Sequence, residues 1–413
     1  MMNTRKPHWA SLLTLIAIGL GVLSFLAIAM TFGIEALTGL LANDGSSPGA
    51  MSGVLGYIFE ALVLILCGWF VLQKVSGMEA AEGSSDFPFK SWQAAAIPVV
   101  VVFSILLGGG IAYLQQDLLS LVFLPPLTVI VIALPIWLAC GIAIRGIDPG
   151  PRWRAFSTFG LGMTLSPLLM GAIEVVFLIA VIIAGVIYVA ITNPALFAEL
   201  GNLAETVTPE MGEQTAFALL GPYISRPAVM AVVFGFIAVF VPLLEELFKP
   251  LAVWLFARRL ESPAQGFVLG ILSGGAFALL ESMNAAASAS GDWAVIVTAR
   301  IGTGLLHTLT TGLVGWGIAS AFREKRIGRL AACYLTAVLI HGIWNASAAG
   351  TAWSSLGEYI GKPEWFYQFA PALLCGMGTM GIGMAAVLIA ANRKLRLSSP
   401  PPVMIEEKVE SPA

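Results

Sequence analysis

Charged residues are scarce in this chain: Asp, Glu, Lys and Arg together make up 11% of its 413 residues. Soluble domains carry about 25% charged residues, so this shortage excludes an ordinary soluble fold. Hydrophobic residues make up 58% of the chain, and the mean hydropathy is +0.89. Because the apolar runs are long enough for helices, we expect an all-α, polytopic integral membrane protein.

Cysteine is scarce too, and the four thiols lie in apolar runs without C-x-x-C spacing: Cys67, Cys140, Cys333 and Cys375. This pattern argues against a disulfide framework or a cysteine–zinc site and predicts four buried free thiols. The H-E-x-x-H motif of many zinc proteases is also absent. Any metal site would therefore need ligands from separate helices.

Ten apolar segments are long enough to cross a bilayer, which takes about 20 residues. Their approximate limits are 9–33, 51–73, 94–114, 121–144, 161–191, 228–257, 264–290, 293–321, 328–350 and 365–391. With both termini inside, the outer loops hold only two basic residues, Arg226 and Lys362. By the positive-inside rule, this distribution predicts a multi-pass protein of the plasma membrane with both termini in the cytoplasm.

The segments predict four regions. Residues 1–226 form an N-terminal region of five uncleaved spans with an acidic outer loop at 192–227, which is a candidate for a short surface helix. Residues 227–350 are expected to form a core of four spans, and residues 351–397 hold the last span. Residues 398–413 are polar and proline-rich, and they predict a disordered tail.

Small residues recur at close-packing spacing in two spans. One pair is Gly270 and Gly274, and a second group in the last span comprises Gly376, Gly378, Gly381 and Gly383. Glycine lets helix backbones approach each other closely, so we expect both groups to lie at helix contacts.

The stretch Val241–Arg259 is apolar but carries Glu245, Glu246 and Lys249 in its middle. A charge near the bilayer centre costs roughly 2.5–3.5 kcal/mol, so these groups need partners, water or a cavity. Prolines flank the glutamates, and Pro250 leaves the carbonyl of Glu246 without its helical hydrogen bond. We therefore expect a broken helix that lines a cavity.

The three following spans each bring further polar groups into the bilayer. Phe277 and Glu281 lie one turn apart in the seventh span, His307 lies in the eighth, and His341 and Asn345 lie one turn apart in the ninth. Counted from the inner helix ends, the buried glutamates and histidines lie about 18–27 Å deep. Since unrelated structural groups have no reason to share a depth, we predict one shared polar site.

Each of these groups also has a structural interpretation. Glu245 and Lys249 have the spacing of an intrahelical ion pair, and a lone membrane histidine is typical of an interhelical hydrogen bond. Arg300 and Asn345 suit structural roles equally well. Two other functions use similar groups: a proton-coupled membrane transporter, and a catalytically inactive membrane scaffold that binds a partner helix.

The motifs resemble those of the PrsW family of intramembrane proteases, which is related to the CAAX-endopeptidase and bacteriocin-processing families. The family pattern of EExxK, FxxxE, a histidine and HxxxD appears here, in order, as EELFK, FALLE, His307 and HGIWN. The last motif ends in Asn345 instead of aspartate, which leaves a hydrogen-bonding role but not a charged one. The likeness covers about residues 227–350. It implies proteolysis in or near the membrane, with first-site cleavage of anti-sigma factors.

The predicted function is an intramembrane endopeptidase that acts on a membrane-protein or lipid-proximal peptide substrate. The lipid bilayer is its other expected partner, and we expect no nucleic-acid partner. Glu245 or Glu246 is the expected general base, and neighbouring helical residues point about 100° apart, so only one can face the water. His307 or His341 would position the water or protonate the leaving amine.

The remaining residues have supporting roles in this hypothesis. Lys249 would keep one glutamate ionised, Glu281 would orient a histidine, and Asn345 would donate a hydrogen bond to the oxyanion. We favour metal-free glutamate chemistry, which needs no cofactor. In the alternative, a divalent metal such as zinc is held by Glu281, His307 and His341.

Overall fold

The computed structural model describes residues 9–42, 47–78, 90–208, 211–287, 293–357 and 367–398. These residues are almost entirely helical and include no β-strand. Ten helical segments among them are long and apolar enough to cross a membrane. This confirms the predicted all-α polytopic architecture. The predicted disordered tail lies, apart from its first residue, outside the described residues.

Six helices build the first five spans. They are α1 (Trp9–Ala42), α2 (Ser47–Ser76), α3 (Ser91–Tyr113), α4 (Asp117–Ile144), α5 (Arg152–Met163) and α6 (Leu165–Thr192). Only Thr164 separates α5 from α6, and the two together form the fifth span. The first span is longer than predicted because the sequence IEALTGLLA after Gly33 remains apolar and favours a helix.

The outer segment 192–227 contains two helices, α7 (Pro194–Thr206) and α8 (Glu213–Ile224), where the sequence indicated one. The hydroxyl of Tyr223 on α8 donates a hydrogen bond of 2.6 Å to the carboxylate of Glu199 on α7. This bond links the two helices, and it raises the pKa of the Tyr223 phenol because the carboxylate accepts a hydrogen bond from the protonated hydroxyl.

The sixth span is not one continuous helix. It consists of α9 (Pro227–Gly235), a π-helical turn (Phe236–Phe240), α10 (Val241–Phe248), α11 (Leu251–Phe256) and a 3-10 turn (Ala257–Arg259). The predicted break is confirmed at Lys249 and Pro250, where proline cannot donate the next helical hydrogen bond. At this break the backbone carbonyl of Lys249 has a partner on the next span, because the hydroxyl of Ser273 donates a hydrogen bond of 2.5 Å to it.

The last four spans are single helices: α12 (Pro263–Ala287), α13 (Trp293–Glu324), α14 (Ile327–Ser355) and α15 (Phe369–Ser398). Of the ten spans, α12 and α13 have the most buried apolar stretches, and they pack extensively against each other. Helices α2, α4 and α5 cover the other side of α12. The polar groups of α12 and α13 therefore lie at the centre of the bundle.

Glycine allows α12 and α13 to pack this closely. A Cβ atom on Gly270 or Gly274 would collide with backbone carbonyl oxygens of α13, at Thr311 and His307 respectively. The predicted close approach at these two glycines is confirmed.

The same prediction for α15 is wrong. No other described part of the chain lies within 4 Å of the Cβ positions of its four glycines, Gly376, Gly378, Gly381 and Gly383. The helix instead packs through a stripe of larger residues that includes Met377, Met384 and Leu388. The glycine spacing alone does not say which face of a helix meets its neighbour.

The prediction of four buried free thiols is confirmed for three cysteines and wrong for one. Cys67, Cys140 and Cys333 are buried free thiols, as predicted. Cys375 is exposed, so the prediction is wrong for this residue. It lies two residues before the buried Met377, and this spacing places it on the opposite face of α15.

Candidate active site

Polar side chains from three helices converge on the ammonium group of Lys249. Its Nζ atom lies 2.8 Å from Oε2 of Glu245 and 2.9 Å from Oε1 of Glu246. It also lies 2.7 Å from Nδ1 of His307 and 3.4 Å from Nδ1 of His341. Lys249 is completely buried. A buried charge is tolerated where it is paired and hydrogen-bonded, so these contacts make three charges possible inside the bundle.

Local helix geometry explains why both carboxylates reach one ammonium. Glu245 and Glu246 precede Lys249 by four and three residues, which places all three side chains on neighbouring positions of α10. Pro250 ends the helix directly after Lys249, where α13 and α14 contact α10. The EExxK motif is thus a helix end rather than part of a regular helix.

The two glutamates have different surroundings. Oε1 of Glu246 contacts Lys249, Nδ1 of His341 at 2.8 Å and the hydroxyl of Thr310 at 3.0 Å, and its side chain is 0% exposed. The Glu245 side chain is 10% exposed. Of the two carboxylates, Glu245 is therefore the more exposed one, and Glu246 is held in place by its neighbours.

Each histidine has one ring nitrogen next to a carboxylate. A carboxylate only accepts hydrogen bonds, so Nδ1 of His341 carries the hydrogen that points to Glu246, and Nε2 remains an acceptor. For His307, Nδ1 accepts from the Lys249 ammonium, and Nε2 carries the hydrogen that faces Oε2 of Glu281 at 2.5 Å. On His341 the acceptor nitrogen Nε2 is left for chemistry, whereas both nitrogens of His307 already have partners.

Glu281 borders an open space beside His307. Its side chain is 38% exposed although α12 is one of the most buried spans. Its carboxylate also lies 3.0 Å from the guanidinium of Arg300, whose Nε donates to the hydroxyl of Ser282 at 3.1 Å. Glu281 is thus held by His307 and Arg300 and is still partly exposed.

Phe277 completes the surroundings of His307. The two rings meet edge to face with their centroids 5.1 Å apart, and Nζ of Lys249 lies 5.0 Å from the centre of the Phe277 ring. The cation–π contact and the ring contact both stabilise buried charged or polar groups. Phe277 and Glu281 of the FxxxE motif thus contact the same histidine from successive turns of α12.

Asn345 is directed elsewhere. Its amide donates a hydrogen bond of 3.1 Å to the carbonyl of Ile237, in the π-helical turn. The structure therefore brings six of the seven predicted site residues into one cluster and uses the seventh, Asn345, to join α14 to the sixth span. The oxyanion role of Asn345 stays a prediction.

Sequence reasoning missed two residues next to the cluster. Thr310 contacts Glu246 and lies one turn after His307 on α13, so its position on the same helical face was a usable signal. Glu174 on α6 is partly buried and lies within electrostatic range of Glu245 and Lys249. It is a charged residue in an apolar span, and that was the signal used to select Glu245.

Three of these side chains form a group that can hold a metal ion. Glu245, His307 and His341 each offer one ligand atom, and the three atoms lie within 4.8 Å of one another. The predicted metal set has Glu281 in place of Glu245. Two imidazoles and a carboxylate are a common set for catalytic zinc, and histidine ligands usually have a carboxylate on the other nitrogen, as both do here. The residues therefore fit a divalent metal.

The similarity to known proteins agrees with this arrangement. The family described as PrsW family intramembrane metalloprotease matches residues 150–375. No curated protein and no solved structure matches the chain. Because the family match covers more than half of the 413 residues and includes every helix of the glutamate–histidine cluster, the chain belongs to the PrsW family of intramembrane proteases.

Proposed function

We propose that this protein is an endopeptidase that cleaves a membrane-associated protein substrate at the cluster of Glu245, His307 and His341. The supporting observation is the pairing of an accessible carboxylate with two histidines that are each oriented by another carboxylate. A hydrolytic site needs a group that accepts a proton from water and a group that gives a proton to the leaving amine. This cluster offers both within one buried site.

The proposed reaction uses the accessible glutamate as its base. Water forms a bond to the carbonyl carbon, the C–N bond breaks, and one proton passes from the water to the leaving amine. Glu245 accepts this proton in the metal-free form. His341, whose Nε2 lies 3.7 Å from Oε2 of Glu245, positions the water or passes the proton on.

The other residues hold this pair in position. Glu246 fixes the ring of His341, and Thr310 supports Glu246. Glu281 orients His307 in the same way. Such fixed orientation matters because general base catalysis depends on placing the acceptor within hydrogen-bonding reach of the proton that it takes.

The same residues would hold a divalent metal. Glu245, His307 and His341 would be its ligands, and the metal would supply activation of water and polarisation of the scissile carbonyl. The family description names a metalloprotease, so it gives no support to the sequence-based preference for metal-free chemistry. Both forms centre the reaction on the same three side chains and differ in the role of Glu245.

The proposed substrate is a membrane-anchored protein, and the family resemblance points to anti-sigma factors as its class. The proposed location is the plasma membrane with both termini in the cytoplasm, which the concentration of basic residues in the inner loops supports.

The test is peptide cleavage by the purified, detergent-solubilised protein, with a library of membrane-proximal peptides and with or without a chelator. We expect cleavage by the unmodified protein and by Glu261→Gln, an exposed control, and none by Glu245→Gln. Loss on chelation and recovery with zinc identifies metal chemistry, whereas cleavage that survives chelation identifies glutamate chemistry.

Substrate-dependent ion flux without cleavage would identify a transporter. Partner binding that survives loss of the cluster would identify a scaffold.

A further inference from the structure

A cavity lies on the side of α12 that faces away from the active site. Its volume is about 560 Å³, and its walls come from α2, α4, α5 and α12. From α12 it is lined by Leu272 and Leu279, whereas Phe277 and Glu281 face the cluster. Nearly all the lining is apolar, and the cavity plays no part in the proposed proteolysis.

The cavity is long and narrow. Its lining residues extend from Phe59 to Phe70 on α2 and from Ala133 to Ile144 on α4, which is about 17 Å along either helix. An apolar space of this volume and length suits a single hydrocarbon chain that lies along α2 and α4.

Basic residues stand at one end of the cavity. Arg152 lines it and is exposed, Lys74 follows the last lining residue of α2 by one turn, and Arg145 directly follows the last lining residue of α4. All three lie at the helix ends that the positive-inside rule assigns to the cytoplasm. The loop between α4 and α5 also carries an acidic residue, Asp148, whose carboxylate accepts a hydrogen bond of 2.8 Å from the backbone N–H of Gly150.

We propose that this cavity binds one acyl chain of an anionic phospholipid of the inner leaflet, with the phosphate at the basic cluster of Lys74, Arg145 and Arg152. The length agrees with this occupant, because one leaflet occupies about half of a hydrocarbon layer of about 30 Å. The charge agrees as well, because inner-leaflet anionic lipids attract basic residues at the cytoplasmic surface. The volume lies in the usual range for ligand pockets.

Two native cysteines provide a direct test, because Cys67 and Cys140 line the cavity and Cys375 lies on the exposed face of α15. The delipidated full-length protein is treated with a small uncharged thiol reagent, with and without phosphatidylglycerol, and labelling is measured at each cysteine by mass spectrometry. Phosphatidylglycerol is expected to slow labelling of Cys140 at least fivefold and to leave Cys375 unchanged. Equal labelling of Cys140 with and without the lipid would overturn the proposal, as would equal protection of Cys375.

The headgroup is tested by substitution and by lipid choice. Arg152→Gln is expected to raise the phosphatidylglycerol concentration for half-maximal protection about fivefold, the effect of one basic residue near a charged membrane surface. Arg323→Gln removes an exposed basic residue from the inner end of α13 and is expected to change nothing. If phosphatidylcholine protects Cys140 as well as phosphatidylglycerol does, or if both variants behave alike, the assignment to an anionic headgroup is wrong.

Discussion

The ammonium nitrogen of Lys249 lies 2.7 Å from Nδ1 of His307, inside the group of donors that can hold a metal. The same nitrogen lies 2.8 Å from Glu245. A metal ion and this ammonium would therefore compete for the same electron pairs, and two cations this close repel each other strongly in a buried site. The lysine of the EExxK motif is thus expected to weaken metal binding while it holds the ligands in place.

Replacement of Lys249 by methionine is expected to tighten zinc binding at least tenfold, because each tenfold change needs only about 1.4 kcal/mol and the removed repulsion is larger. Competition with a fluorescent zinc chelator measures the affinity, and the melting temperature with and without zinc shows that the variant is folded. Lys325→Met, at an exposed position, is the control. Unchanged zinc affinity in Lys249→Met would contradict the competition.

The two neighbouring glutamates are expected to differ in what their loss does. Glu246→Gln should destabilise the protein by about 3–5 kcal/mol, because it removes the negative charge from a buried ion pair with Lys249 and leaves His341 a neutral, weaker acceptor. Glu245→Gln should be less destabilising but should reduce cleavage more than 100-fold, because its carboxylate is the proposed base. Unfolding in detergent and peptide cleavage, measured on the same samples with Glu261→Gln as control, separate the two effects. Equal stability of the two variants would show that the division of roles is wrong.

The hydroxyl of Thr310 is expected to support activity through Glu246. Thr310→Val preserves the shape but removes a hydroxyl that lies 3.0 Å from Glu246 and 2.9 Å from the Leu306 carbonyl, which should cost about 1–2 kcal/mol and lower cleavage several-fold. Thr308→Val is a matched control on the same helix, because its equally buried hydroxyl bonds only the Gly304 carbonyl at 2.7 Å. The same loss of cleavage in both variants would show a general effect on α13 instead.

The sequence was sufficient to predict a shared site because its argument used depth and spacing. Buried charges in four consecutive spans had to meet, and Glu245 and Lys249 had to share a helix face. Which carboxylate contacts which histidine was not predictable in the same way. That Glu281 contacts His307 and Glu246 contacts His341 depends on the rotation of each helix about its axis, which single-sequence spacing does not determine.

Two further features needed the packed structure. The π-helical turn of the sixth span has no strong sequence signal, so the partner of Asn345 was not visible. Glycine spacing was the same kind of signal in α12 and α15, but Gly270 and Gly274 of α12 meet the backbone of another helix, whereas the four selected glycines of α15 do not. The omission of Glu174 was different, because a charge in an apolar span is readable from the sequence.

The glycines allow a direct stability test of the helix contact. Gly270→Ala is expected to destabilise the protein by about 1–3 kcal/mol, because the added methyl group overlaps the backbone of α13. Gly378→Ala has open space around it and should be neutral or slightly stabilising, since alanine favours a helix more than glycine does. Unfolding in detergent measures both, and an equal effect of the two substitutions would contradict the assigned contact.

Asn345 offers a test between catalysis and architecture, because its amide donates to Ile237 in the structure while the sequence predicted an oxyanion donor. Asn345→Asp cannot donate this bond and would place a carboxylate against a carbonyl oxygen, so we expect a loss of stability of about 1–3 kcal/mol. If the amide acts only through the π-helical turn, the folded fraction of Asn345→Asp should retain kcat within about threefold. An oxyanion donor would instead contribute a factor of about 100–1,000 to kcat. Measurement of kcat at a temperature where the variant is fully folded distinguishes the two, and Asn345→Ala, which adds no charge, separates loss of the donor from repulsion by the new carboxylate.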